Sequence, residues 1–190
     1  ANNTTADYNT AVGYDSLFTN TTGHSNTTVG FNTMCVSTTG DCNVAVGKDA
    51  LDSNTEGDCN TAVGTDALQA NTTGAQNVAV GRNALTANTT ASDNTSVGYC
   101  SLVSNTIGCQ NVAIGYRSAF ENIDGNFNVA IGYNSLCDNT TGNCNTALGH
   151  SSLTNSTASY NTAVGKSSLT ANTTGAANTA VGFSALKTNT

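Results

Sequence analysis

The chain has no proline, no tryptophan, one methionine and very little charge. Charged residues make up 9% of its 190 positions, against roughly 25% in an average globular domain. Only five are Lys or Arg, against 12 Asp or Glu, for a net charge of −7. Five dispersed cations cannot build the basic stripe that meets phosphates, which excludes a nucleic-acid partner. No apolar run approaches the ~18 residues of a membrane-spanning helix. A hydrophobic content of 37% with so little charge is also unlike charge-driven disorder. The first residue is not Met and no signal-peptide pattern follows, as expected of a processed chain or an excerpt from a longer one. In place of charge there are 33 Thr, 28 Asn and 19 Gly.

Periodicity explains that excess. The pentad N-[TV]-[AST]-[VIL]-G begins at Asn9, Asn26, Asn43, Asn60, Asn77, Asn94, Asn111, Asn128, Asn145, Asn161 and Asn178. It closes on Gly13, Gly30, Gly47, Gly64, Gly81, Gly98, Gly115, Gly132, Gly149, Gly165 and Gly182. Nine of the ten intervals are 17 residues, and the one from Asn145 to Asn161 is 16. With Asn as position 1 and Gly as position 5, position 9 is Leu except for Met34 and Ala119. Position 12 reads as Asn except for Ser37, with Asn155 filling it in the short unit. Position 15 is Gly or Ala. No window lies outside the pattern, so residues 1–190 read as one repeat domain without a second.

Seventeen residues are too few for the helix pair of the common helical repeats, and Asn, Thr and Gly are poor helix formers. Short extended segments broken by Gly and Asn fit better. Gly at positions 5 and 15 and Asn at positions 1 and 12 suit corners, including left-handed ones. The predicted fold is all-β: a parallel β-solenoid of about eleven 17-residue coils. Each residue then stacks ~4.8 Å from its own copy, giving a rod about 50 Å long. Val at position 4 and Leu at position 9 are expected to form the core, with position 2 beside them. Asn is expected to stack into amide ladders. Like charges would stack and repel, which accounts for their scarcity. Small position 3 implies close approach either by another wall of the coil or by another chain.

The pentads NVAIG at Asn111–Gly115 and Asn128–Gly132, and NVAVG at Asn43–Gly47 and Asn77–Gly81, resemble the head repeat of YadA-like trimeric autotransporter adhesins. They are also similar to repeats of phage and viral tail-fibre proteins. The resemblance implies a left-handed parallel β-roll, commonly trimeric, displayed on a cell or virion surface and used for attachment. The adhesin head coil is typically shorter than this one.

The seven cysteines fall in telling columns. Cys35 and Cys137 occupy position 10, Cys42 and Cys144 position 17, and Cys100 and Cys109 bracket a comparable loop. Intracoil disulfides Cys35–Cys42, Cys100–Cys109 and Cys137–Cys144 are predicted, in keeping with an extracellular site. Cys59 is left over as a possible intersubunit thiol. It shares position 17 with Cys42 one coil away, so a Cys42–Cys59 rung is the competing pairing. There is no CxxC spacing for a metal.

No catalytic constellation stands out, so the chain reads as non-enzymatic, without metal or cofactor. His24 and His150 sit about 35 Å apart along the rod. Asp15, Asp49 and Asp66 share position 7, and Asp7, Asp41 and Asp58 share position 16. They read as solvated acids, since the signature of calcium-binding β-rolls is absent. Position 6 carries Tyr14, Phe31, Tyr99, Tyr116, Tyr133 and Phe183, interleaved with Lys48, Arg82, Lys166 and His150. This outward stripe is either a contact surface for sugars, cell surfaces or another solenoid, or a stabilising aromatic ladder. The sequons at Asn20, Asn71, Asn139 and Asn172 follow from the repeat and matter only in a eukaryotic secretory host.

The leading expectation is an extracellular structural fibre, filament or adhesin on a cell or virion surface. Its partners would be copies of itself, as a trimer or an end-to-end filament that the near match in phase of the two ends permits, and a surface receptor or glycan. The alternative is an ice-binding solenoid that uses the stacked Thr of positions 13 and 14, a file interrupted by Glu56, Ile107, Ile123 and Asp124.

Overall fold

A computed structural model describes residues 4–189. Eleven three-residue strands, from β1 (Thr10–Val12) to β11 (Thr179–Val181), lie in chain order in one parallel sheet. The register follows the repeat: Thr61 pairs with Val78 and Val112 with Val129, while across the short unit Thr146 pairs with Thr162. The fold is therefore the expected all-β parallel solenoid.

Intercoil hydrogen bonding continues around the perimeter beyond the strands. The Asp49 N–H donates back to the Phe31 carbonyl (2.9 Å) and the Leu51 N–H forward to that of Ala67 (3.0 Å). On the far side, the Thr55 N–H donates to Thr72 (3.0 Å) and the Cys59 N–H to Asp41 (2.9 Å). These bonds satisfy backbone groups that a thin rod cannot hide any other way.

The expected core is corrected in its parity. The strand residue that points inward is position 3, as in Ala45, Ala62, Ala79 and Ala113, all fully buried. Positions 2 and 4 point outward. The interior is a stack of Ala (Thr28 and Ser96 in two coils) at position 3, Ala, Ser or Thr at position 8, and Leu (Met34 and Ala119 in two coils) at position 9. A 17-residue coil leaves little width opposite position 9, so column 3 holds only small side chains, Ala in nine coils and the hydroxyl residues Thr28 and Ser96 in the other two. The small column thus answers to the opposite wall of its own coil.

The corners differ too. Asn at positions 1 and 12 does not adopt left-handed geometry; positions 7, 9 and 17 do, as in Asp49 (φ 54), Leu51 (φ 52) and Cys59 (φ 56). Asn is required for its amide. In coil after coil the position-15 carbonyl accepts from both Asn columns: the Gly57 oxygen takes Asn43 Nδ2 at 2.8 Å and Asn54 Nδ2 at 3.0 Å. Column 1 also runs along the axis, with Asn26 Oδ1 accepting the Asn43 N–H (2.9 Å) and Asn43 Oδ1 the Asn60 N–H (2.8 Å). Column 12 links side chain to side chain, as in Asn71 Nδ2 to Asn54 Oδ1 (2.7 Å). Gly64 (φ +136) shows why the pentad ends in Gly, since a Cβ there would lie 2.6 Å from the Gly81 carbonyl oxygen.

Two serines break the column-12 ladder. One is Ser37, as read from the sequence. The other is Ser156, fully buried in the column, while Asn155, expected there, is exposed. The turn from Gly149 keeps its length, so the missing residue is taken from the corner that follows. Ser is too short to bridge, and Asn20 Oδ1, Ser37 Oγ and Asn139 Oδ1 are left buried without partners.

Candidate functional site

The described residues enclose no cavity, and none of their His, Cys, Asp or Glu side chains gather in groups of three that could hold a metal ion. Among the described residues no helix is long and apolar enough to cross a membrane. Whatever the rod contacts must meet its outer faces.

The sheet face is the most regular. Its two columns are Thr or Val at position 2 and Val, Ile or Leu at position 4, with no charge in either. These side chains are half-buried by their stacked copies and otherwise open: Val44 is 37% exposed, Ile114 38% and Leu148 43%. Sequence reasoning missed this surface because it assigned those columns to the core.

On one flank lies column 6, whose side chains project outward as expected. Its aromatics stack on one another: Tyr99–Tyr116 at 5.4 Å, Tyr116–Tyr133 at 5.0 Å, Tyr133–His150 at 5.0 Å, and separately Tyr14–Phe31 at 5.4 Å, all near parallel. Ring faces turned toward neighbouring rings are not free to stack on a sugar, so the ladder presents mainly edges. Phe183 is largely exposed.

On the other flank, column 16 forms an acceptor ladder that the sequence reading left as free acids. The His24 N–H donates to Asp41 Oδ1 (2.6 Å) and the Asp41 N–H to Asp58 Oδ1 (2.8 Å). Neutral residues do the same in later coils: Ser92 accepts from Ala75, Asn126 from Cys109 and Asn143 from Asn126. His24 also serves, its Nδ1 accepting the Asp7 N–H at 2.9 Å.

The Thr files are only partly available. Column-13 hydroxyls donate to the next coil's backbone, as in Thr21 to the Thr38 carbonyl (2.9 Å) and Thr72 to that of Thr89 (3.0 Å). Column 14 is exposed. The sequon asparagines are sealed: Asn20, Asn71, Asn139 and Asn172 are buried, with Nδ2 donating to the carbonyls of Gly23, Gly74, Gly142 and Gly175.

The expected disulfides Cys35–Cys42, Cys100–Cys109 and Cys137–Cys144 are not formed, and all seven cysteines are free thiols. Columns 10 and 17 have different neighbours. The Cys35 thiol donates to Asp52 Oδ1 (2.9 Å) in the next coil, whereas Cys59 is the side chain that meets Cys42. Burial, then the hydrogen bond to Asp52, pushes the Cys35 thiol up to about 12. Cys137 is pushed to about 12 by burial and then by its bond to Asp138.

No protein-family model matches the chain, and searches of curated proteins and of solved structures find no significant match. The functional reading therefore rests on the repeat and its faces.

Proposed function

We propose that this chain is a rod-forming segment of an extracellular fibre, filament or adhesin on a cell or virion surface, whose copies associate side by side along the sheet face. The supporting observation is the exposed double column at positions 2 and 4. It is continuous, uncharged and almost entirely β-branched, and the largest such patch on a protein surface is often a functional one. At about 50 Å by about 10 Å it offers ~500 Å² per copy. That places a pair near the ~1,000 Å² lower bound of specific interfaces. The resemblance to adhesin heads and tail fibres points the same way, with attachment to a receptor or glycan as the role of the assembled rod.

Sedimentation of the purified chain tests this reading. Association that strengthens with concentration is expected, and Val80→Glu with Ile114→Glu should abolish it while circular dichroism stays unchanged. A wild-type chain that remains monomeric at millimolar concentration would sink it.

The regularity of the same face also favours a second reading, ice binding. Column 2, Thr in seven of eleven coils, and aliphatic column 4 form a repeating, uncharged array, whereas column-13 hydroxyls are already committed to backbone carbonyls. Thermal hysteresis at millimolar protein, lost in the same Glu variants, is its expected signature. Its absence disposes of this alternative.

A further inference from the structure

Among the seven cysteines, only Cys42 and Cys59 occupy one column in successive coils. The stacked neighbours of Cys144, by contrast, are Phe127 and Tyr160, and those of Cys109 are Ser92 and Asn126. The backbones at Cys42 and Cys59 superpose. Their φ values are 57 and 56, the Cys59 N–H donates to the carbonyl beside Cys42 (Asp41, 2.9 Å), and two residues on Val44 pairs in register with Thr61. Register-matched neighbours sit ~4.8 Å apart, inside the 4.4–6.8 Å window of Cα separations that disulfides span. Both residues are exposed, so an oxidant reaches them.

The position carries physical meaning. Cys42 follows Asp41 and Cys59 follows Asp58, and those two carboxylates stack in column 16. Asp49 and Asp66 stack likewise in column 7 of the same stretch. The cysteine pair thus spans coils in which like charges lie one strand spacing apart.

We propose that Cys42 and Cys59 are a modification site, closing an intercoil disulfide when the folded chain meets a small-molecule disulfide oxidant. One thiolate attacks a sulfur of the oxidant RSSR, forming a mixed disulfide and releasing RS⁻, which takes up the proton lost by that cysteine. The second thiolate displaces the remaining RS group. Two protein thiols become one protein disulfide, and RSSR is reduced to two RSH. Both thiols lie at the surface, and exposed disulfides are the labile ones, so the closed rung is open to thiol reductants and reversible. Its closure pins two coils that their carboxylates push apart.

Peptide mapping of the full-length chain decides the matter. The chain is incubated with oxidised glutathione, then quenched with N-ethylmaleimide and digested without reduction. The expected product is a monomer in which the Cys42 peptide is joined to the Cys59 peptide with loss of two hydrogen atoms, the other five cysteines being alkylated or glutathionylated. Glutathione held stably on Cys42 or Cys59 without closure would overturn the proposal, as would a Cys35–Cys42 link or a disulfide dimer through Cys59. Cys144→Ser should leave closure unchanged, and Cys42→Ser should leave Cys59 alkylated or glutathionylated and joined to no other cysteine. Thermal melting needs no variant: the oxidised chain should melt higher than the same sample after dithiothreitol, most clearly at low salt. Equal midpoints would show that the bond does not pin the coils.

Discussion

The stretch up to Asp66 and the stretch after it share one backbone and differ in charge. The first holds eight acids and one base, hence the whole net charge of −7; the second holds four of each and is neutral. The coils nonetheless pair in the same register and use the same hydrogen bonds. Column 16 shows why both compositions fold. The repeat requires an acceptor there for the previous coil's N–H, and Asp41 and Asp58 supply it as Asn126 and Asn143 do. Charge is incidental to that bond, but stacking makes it accumulate. The acidic stretch is thus the electrostatically weaker part of the rod, softened only in part by Lys48, whose ammonium pairs with Asp49 and is held above its ordinary pKa by that carboxylate.

The largest test of this difference removes the same core side chain from each region. Leu51→Ala and Leu136→Ala delete fully buried leucines of one column, at a local cost of about 2–5 kcal/mol each. In a solenoid, stability is close to a sum over coils and their interfaces. The equal loss should therefore unfold more of the weaker stretch. Hydrogen exchange should show protection lost well beyond the mutated coil in Leu51→Ala, and confined to it in Leu136→Ala. Equal spread in both would remove the comparison.

Ser37 and Ser156 offer a second pair, one in each region. Ser37→Asn restores the column-12 ladder and gives Asn20 Oδ1 a donor, a gain of about 1 kcal/mol. Ser156→Asn offers the same to Asn139 Oδ1, but in a corner one residue short, so its gain should be smaller. Urea midpoints compare them, and a larger rise for Ser156→Asn would contradict the account of the shortened corner.

The register, the ladders and the outward aromatic column were legible because stacking writes each structural demand into the chain eleven times. The facing of the strand was not. Val-Ala-Val reads by alternation as two inward apolar residues around an outward small one, and only the narrowness of the finished coil reverses it. The left-handed corners left a different trace. Although Thr is the commonest residue, positions 7, 9 and 17 contain no Thr, Val or Ile, the types that a positive φ excludes most strongly. The signal is an absence in three columns, whereas Gly and Asn are the types that ordinarily mark left-handed corners. The missing residue of the short unit could not be placed because Asn155 and Ser156 are both compatible with the pattern, and only the constancy of the preceding turn decides between them.

A smaller effect isolates charge itself. Asp41→Asn with Asp58→Asn keeps both acceptors in column 16 and removes a stacked like-charge pair, worth about 0.2–1 kcal/mol. The acidic stretch should melt higher at low salt and gain little at high salt, where screening has already removed the repulsion. A gain independent of salt would mean that charge is not what weakens this region.

The smallest contrast concerns Cys35 and Cys137, one in each region, whose thiols burial pushes up to about 12. Were the surrounding charge decisive, the acidic stretch would hold its thiol far higher than the neutral one, where Arg117 acts to lower Cys137. Because burial leads in both, their alkylation profiles should nearly coincide. The reactive species is the thiolate, so each rate should still climb about tenfold per pH unit between pH 9 and 11. The folded pKa lies above the ordinary value of 9.0. These thiols therefore stabilise the fold fully below pH 9 and progressively less as pH rises toward 12. Asp52→Asn and Asp138→Asn keep a hydrogen-bond acceptor while removing the charge, and should bring each rise to a slightly lower pH. A Cys35 profile displaced by a full pH unit from that of Cys137, and collapsing onto it in Asp52→Asn, would show that charge reaches even the half-buried columns.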